Sequence, residues 1–145
     1  MSIPVVIQCG GGKLAGIHPV IDLYTGPLWS TLRVVRKRLG RLPVATYVMS
    51  AKYGIVPVFR RVPCYDAVLM NQCTQTNHVS PDDILSLLCE QVAPLGSVVA
   101  FCGSQLYADT LERTGVRVVR IGGVPFRHGI ARAALREYML SLAQA

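Results

Sequence analysis

The sequence predicts an α/β fold, a three-layer sandwich in which a mainly parallel central sheet is flanked by helices. Three observations predict it. Short, wholly apolar runs closed by glycine alternate with segments of helical spacing, as βα units with right-handed crossovers require. Hydrophobic residues make up 51% of the 145, with a mean hydropathy of +0.38, which suits strands covered on both faces. No Gly/Ser-rich or Pro-rich linker and no repeat divides the chain, so residues 1–145 form one domain able to bury its own core.

Pro4 to Cys9 is the first strand, ending in Gly10-Gly11-Gly12-Lys13, a run that turns sharply and exposes amides. Thr25-Gly26-Pro27 starts a helix with Leu28, Leu32, Val35 and Leu39 on one stripe, and Gly40 stops it. Val44 to Met49 is a second strand, after which Gly54, Pro57 and Pro63 keep the chain in a loop. Ser80-Pro81-Asp82-Asp83 supplies an N-cap, a proline at the first helical position and early acids, followed by Ile84, Leu87, Leu88 and Val92 at helical spacing. Val98 to Cys102 is a strand closed by Gly103, and a helix runs from Ser104 to Arg113. Val116 to Ile121 is a further strand, broken by Gly122, Gly123 and Pro125, and Ile130 to Leu142 is the last helix. The order is βαβ, loop, αβαβα.

Composition narrows the function. Five cysteines, at 9, 64, 73, 89 and 102, form no CxxC pair and leave one over in any full disulfide scheme, so a reducing compartment is expected. His18, His78 and His128 do not fall at ligand spacing with them, and neither a metal nor another cofactor is expected. No apolar run approaches the ~20 residues of a membrane helix, and Met1 to Cys9 carries no leader pattern, so the expected location is the cytoplasm, away from membranes. Fifteen Lys and Arg against eight Asp and Glu give a net charge of +7, which points to an anionic partner, a nucleotide or nucleic acid. Five of those cations lie between Arg33 and Arg41, and Trp29, Arg33, Arg36, Lys37 and Arg41 form a candidate nucleic-acid face on and just after the first long helix.

The chemistry concentrates in Ser50-Ala51-Lys52-Tyr53-Gly54 and in Tyr65-Asp66, which bring hydroxyl, ammonium, phenol and carboxylate groups to the end of a strand, where open α/β sheets bind ligands. Lys52 beside a buried Asp66 would bind an anion and hold the acid ionised; a salt bridge fastening the loop, with Asp66 capping a following helix, is the structural alternative. Ser50 suits a phosphate or sugar hydroxyl, and Tyr53 and Tyr65 suit a base. Gly10, Gly11 and Lys13 are either an anion-binding loop or a tight strand exit, since the GxxxxGK[ST] spacing is absent. Cys9 is either a ligand-lining residue, a nucleophile only with a lowered pKa, or a small apolar residue at a buried strand end. Gly103 and Tyr107 straddle a strand-to-helix junction, where amides meet ligands.

The ordered blocks Cys9 to Lys13, Asp22 to Leu28, Ser50 to Gly54, Tyr65-Asp66, Gly103 to Tyr107 and Pro125 to Gly129 resemble an uncharacterised domain family of bacteria and phages. Its usual form reads Cys-Ser-x-Ser-Lys, Leu-Tyr-Thr-Gly-Pro-Leu, Ser-Ala-Lys-Tyr-Gly and Pro-Tyr-Asp. Here Gly10 and Gly12 stand for the serines, and Cys64 separates Pro63 from Tyr65. The Tyr-Gly turn is more distantly similar to the DNA-binding peroxide-stress protein YaaA and to accessory domains of archaeal tRNA guanine modification. The resemblance adds Tyr24 to the site and implies a nucleic-acid or base-handling role. Together these observations point to a nucleotide or base-processing enzyme, an N-glycosidase or base-exchange enzyme with Asp66, Lys52 and Ser50 as catalytic groups and Lys13 as a further anion contact. The alternatives are a non-catalytic nucleic-acid-binding protein using the Arg33–Arg41 face and a protein-interaction domain; a homo-oligomer fits any of the three.

Overall fold

The computed structural model describes residues 3–120 and 128–144. At its centre, strand β1 (Val5–Gln8) lies between β3 (Thr46–Ser50) and β8 (Ser97–Phe101), parallel to both. Beyond β3 the hairpin partner β4 (Gly54–Pro57) runs antiparallel, and beyond β8 the strand β9 (Arg117–Arg120) runs parallel, so the order is β4-β3-β1-β8-β9. Val5, Val6 and Ile7 are fully buried, as a central strand covered on both faces demands.

Helix α2 (Pro27–Leu39) carries the chain from β1 toward one edge, while α4 (Gln105–Glu112) carries it from β8 toward the other. Right-handed crossovers in opposite directions place successive helices on opposite faces. In agreement, α2 packs along the terminal helix α5 (His128–Ala143), and α3 (Pro81–Val92) packs against β4 and α4. The sandwich predicted from sequence is therefore the fold. Gly26 and Pro27 begin α2 and Gly40 ends it in the left-handed conformation (φ 77°); Ser80 and Asp83 form a reciprocal capping box on α3. One expected core position is not filled: Leu87 is 38% exposed, because Ile84, Leu88 and Val92 already occupy the buried stripe of α3.

The segment expected as loop holds most of the unforeseen structure. Short helix α1 (Val20–Leu23) precedes Tyr24, β2 (Ile17–Pro19) pairs with β5 (Arg61–Pro63), and β6 (Val68–Leu69) pairs with β7 (His78–Val79). Strands of two or three residues show no periodicity, and Pro57 is tolerated because β4 is an edge strand. Their inward side chains, Val58, Val62, Tyr65 and Leu69, fasten the excursion to the core. Of the last sequence-predicted strand, Arg117–Arg120 is described as β9, and Ile121, Gly122, Gly123 and Pro125 lie outside the described residues.

Because the α3 capping box meets the chain at an exposed helix start, Ser80→Ala should lower stability by about 1 kcal/mol while leaving the native circular dichroism spectrum intact. Urea denaturation measures it.

Candidate functional site

The candidate site forms where β1, β3 and β8 all end. Leaving β1, the glycine run folds back on the segment before α2: Thr25 N donates to Gly12 O (3.0 Å), Leu14 N donates to Leu23 O (2.8 Å), and Lys13 bridges Tyr24. A Cβ at Gly12 would run into Thr25 Oγ1, so a larger residue there needs that hydroxyl to rotate away.

Leaving β3, the chain makes the Ser50–Gly54 hairpin turn. Ser50 Oγ is its hub, accepting from Lys52 N and Tyr53 N (both 3.1 Å) and donating to Tyr65 Oη (2.8 Å). Tyr65 Oη in turn lies 2.5 Å from Tyr24 Oη. Three hydroxyl protons serve two bonds between the three oxygens, and both Ser50 acceptor sites are used by backbone amides. Among the described residues, one phenolic proton, on Tyr24 or Tyr65, is therefore left without an acceptor, although both residues are buried. The aromatic groups pack as a block, with Tyr24 against Trp29 (centroids 4.9 Å apart), edge-on to Tyr65 (6.4 Å), and Tyr53 edge-on to Tyr65 (5.1 Å).

Two ammonium groups decorate it. Lys13 Nζ stands 4.6 Å from the Tyr65 ring centroid, and Lys52 Nζ stands 5.4 Å from that of Tyr53. On the β8 side, Cys9 Sγ donates to Tyr107 Oη (3.4 Å), which also accepts from Leu69 N (3.5 Å). Burial pushes the phenols of Tyr24, Tyr65 and Tyr107 well above their ordinary value of 10.0, and the electrostatic influence of nearby Cys9 adds to the rise. All three are neutral hydrogen-bonding groups at physiological pH, not bases.

Gly10 packs beside Tyr24 and Trp29, whereas Gly11 is exposed. Gly103 shares a small cavity of ≈ 50 Å³ with Gln8, Cys9, Gly10, Pro27 and Trp29. The amino terminus of α2, whose Gly26 offers no side-chain cap, opens on this cavity. Unfilled helix amides favour a negatively charged group there.

Several expectations need correction. Asp66 is exposed, not buried, and its carboxylate accepts from Asn77 Nδ2 (3.1 Å) in place of pairing with Lys52; no helix follows for it to cap. It remains at the rim as the residue after Tyr65. Trp29 is 1% exposed and donates to Gln8 O (3.1 Å), so it has no face for a base. Arg33 turns inward to the carbonyls of Ile21 (2.9 Å) and Tyr24 (2.7 Å), and Arg36 pairs with Asp22 (3.2 Å). Of the expected nucleic-acid face, Lys37 and Arg41 stay exposed. The His128 side chain and Phe126-Arg127 lie outside the described residues.

Two glutamines went unnoticed in the sequence. Gln91, from α3, clamps the hairpin turn, accepting from Ile55 N (2.6 Å) and donating to Tyr53 O (3.0 Å). Gln8 Oε1 accepts from Ser104 N (2.9 Å), tying the end of β1 to the start of α4. Their one signal is placement: a polar residue ending an apolar strand, and another near the end of an amphipathic helix. Among the described residues no His, Cys, Asp and Glu cluster suits a metal, and no helix is long and apolar enough to cross a membrane.

Gly54 adopts φ 70°, and a methyl added there would strike Gln91 Oε1. Gly54→Ala should therefore cost about 2 kcal/mol or more, and the penalty should fall toward the backbone strain alone, about 1 kcal/mol, once Gln91→Ala has removed the obstacle. A double-mutant cycle in urea reads that coupling. For the phenols, the folded value lies above the unfolded one, so their contribution is fully present below pH 10.0 and is lost as pH rises beyond it, when only the unfolded chain ionises. Stability should fall above pH 10.0 by about 1.4 kcal/mol per pH unit for each phenol, and Tyr65→Phe should make the fall less steep.

A family model described as a family of unknown function, DUF6884, matches residues 5–127. The chain belongs to that family. No curated protein matches it.

Proposed function

We propose that this member of the DUF6884 family binds a nucleotide, or a base within a nucleic acid, at the carboxyl edge of its sheet and cleaves or exchanges the N-glycosidic bond. The observation that carries the reading is the spare phenolic proton of the Ser50–Tyr65–Tyr24 chain, a buried donor for which the described residues supply no acceptor. A carbonyl or ring nitrogen of a base is such an acceptor. Around it stand the other parts a nucleotide needs. Lys13 and Lys52 supply positive charge, the α2 amino terminus takes a phosphate oxygen, and the neutral phenols offer aromatic edges and hydrogen bonds.

The reaction assigned to Asp66 follows from the chemistry of such bonds. The bond between the anomeric carbon and the base nitrogen breaks with its electron pair going to the base, and positive charge develops on the sugar. A carboxylate at the rim stabilises that charge or takes a proton from the attacking water or incoming base, while a hydrogen bond to the departing base eases its release. Asp66 has one carboxylate oxygen on Asn77, which orients it. The family motifs, and the more distant likeness to YaaA and the tRNA-modification domains, support the same substrate class.

Release of free base from a panel of nucleosides, nucleotides and oligonucleotides, followed by chromatography, tests the reading. Asp66→Asn should abolish turnover with nucleotide affinity retained, whereas Lys13→Ala should weaken binding about tenfold or more. Undiminished turnover by Asp66→Asn removes the mechanism; nucleotide binding indifferent to both Lys13→Ala and Tyr65→Phe removes the site.

A further inference from the structure

A second, roomier cavity lies away from the strand edge. It occupies ≈ 650 Å³ between α2 and α5, with Thr31 and Val34 on one wall and Arg132, Arg136, Glu137 and Leu140 on the other. That size falls within the ~300–1,000 Å³ of small-molecule sites. Three properties of its lining point to the same ligand chemistry.

Arg132 and Arg136 stand one turn apart on one side of α5, an arrangement of like charges that disfavours the helix unless an anion lies between them. Neither makes an ion pair or hydrogen bond among the described residues. Glu137, on the same wall, leaves both guanidinium groups unpaired. Thr31 is 8% exposed as a residue, and its hydroxyl makes no hydrogen bond among the described residues, so it is available to a ligand at the cavity wall. Val34, by contrast, is 59% exposed, and with Leu140 it offers an apolar strip beside the cations.

We propose that this groove is a binding site for a small organic phosphate monoester, separate from the site at the strand edge. Its phosphoryl oxygens bridge Arg132 and Arg136 and accept from the Thr31 hydroxyl, and its apolar body lies along Val34 and Leu140. Guanidinium forks match a tetrahedral dianion with several acceptor oxygens. Glu137 limits how much negative charge the same wall accepts, which favours a monoester over a polyanionic strand.

Phenyl phosphate titrated into isotopically labelled protein, with amide shifts as the readout, tests the assignment, and inorganic phosphate and phenol form the control arms. Saturable shifts should appear at residues 30–34 and 132–140, weaker with inorganic phosphate and absent with phenol. The double variant Arg132→Gln/Arg136→Gln should lose at least tenfold in affinity, and Lys13→Ala should lose none. Thr31→Val should bind several-fold more weakly with an unchanged or higher Tm, since no internal hydrogen bond is removed. Shifts confined to other segments, or equal affinity in the double arginine variant, overturn the proposal. Stability lost in place of affinity in Thr31→Val removes the hydroxyl from the site.

Discussion

Parallel pairing of β1 to both of its neighbours is the constraint from which the rest follows. Register matches Gln8 to Met49 on one side and Ile7 to Phe101 on the other, so the three strands run out at one level. Cys9, Ser50 and Cys102, far apart in sequence, become neighbouring exits from the sheet. Because the chain turns toward β3 from one of these exits and toward β9 from another, the helices diverge there and leave a crevice at the reversal point. A slip of one residue in either ladder would carry Ser50 or the glycine run away from Tyr65 and Tyr24.

Above that edge the protein buries a polar network where an apolar lid would have been simpler. Desolvating a hydroxyl without a partner costs about 1–3 kcal/mol, and the network avoids most of that by closing Ser50, Tyr65 and Tyr24 on one another and on two backbone amides. Its residual phenolic donor has no acceptor among the described residues. Gln91 performs the corresponding service for the hairpin, whose Tyr53 carbonyl and Ile55 amide both depend on a side chain from another layer. The turn is thus held from beneath by Ser50 and from the side by α3, a stiffness that suits fixed placement of Lys52 and Tyr53.

Charge is used in two ways. A formal +7 suggests a single basic surface, but Arg33 fixes the end of α1 and the Tyr24 carbonyl, and Arg36 is held by Asp22. These arginines support the aromatic block from behind. Other cations stand elsewhere: Lys13 and Lys52 over tyrosine rings, Lys13 also donating to the Gly11 carbonyl, and Arg132 with Arg136 along the groove beside α2.

The sequence by itself determined the sandwich and the order of its long elements, and it pointed to the two segments, Ser50–Gly54 and Tyr65, that meet at the candidate site. Those features are local. Apolar runs, helical spacing, caps and glycine stops act within a dozen residues, and the long helices and sheet strands follow them. Only the tertiary structure decided which polar groups meet. Trp29 and Arg33 look available on a helix drawn alone, but the packing of α2 against Tyr24 and α1 claims them. Asp66 and Lys52 look like partners because they are near in sequence, yet Asn77 is brought back by the β6–β7 pairing and Gln91 reaches in from α3. A hydrogen bond depends on a few tenths of an ångström between chains distant in sequence, which no periodicity in a single segment encodes.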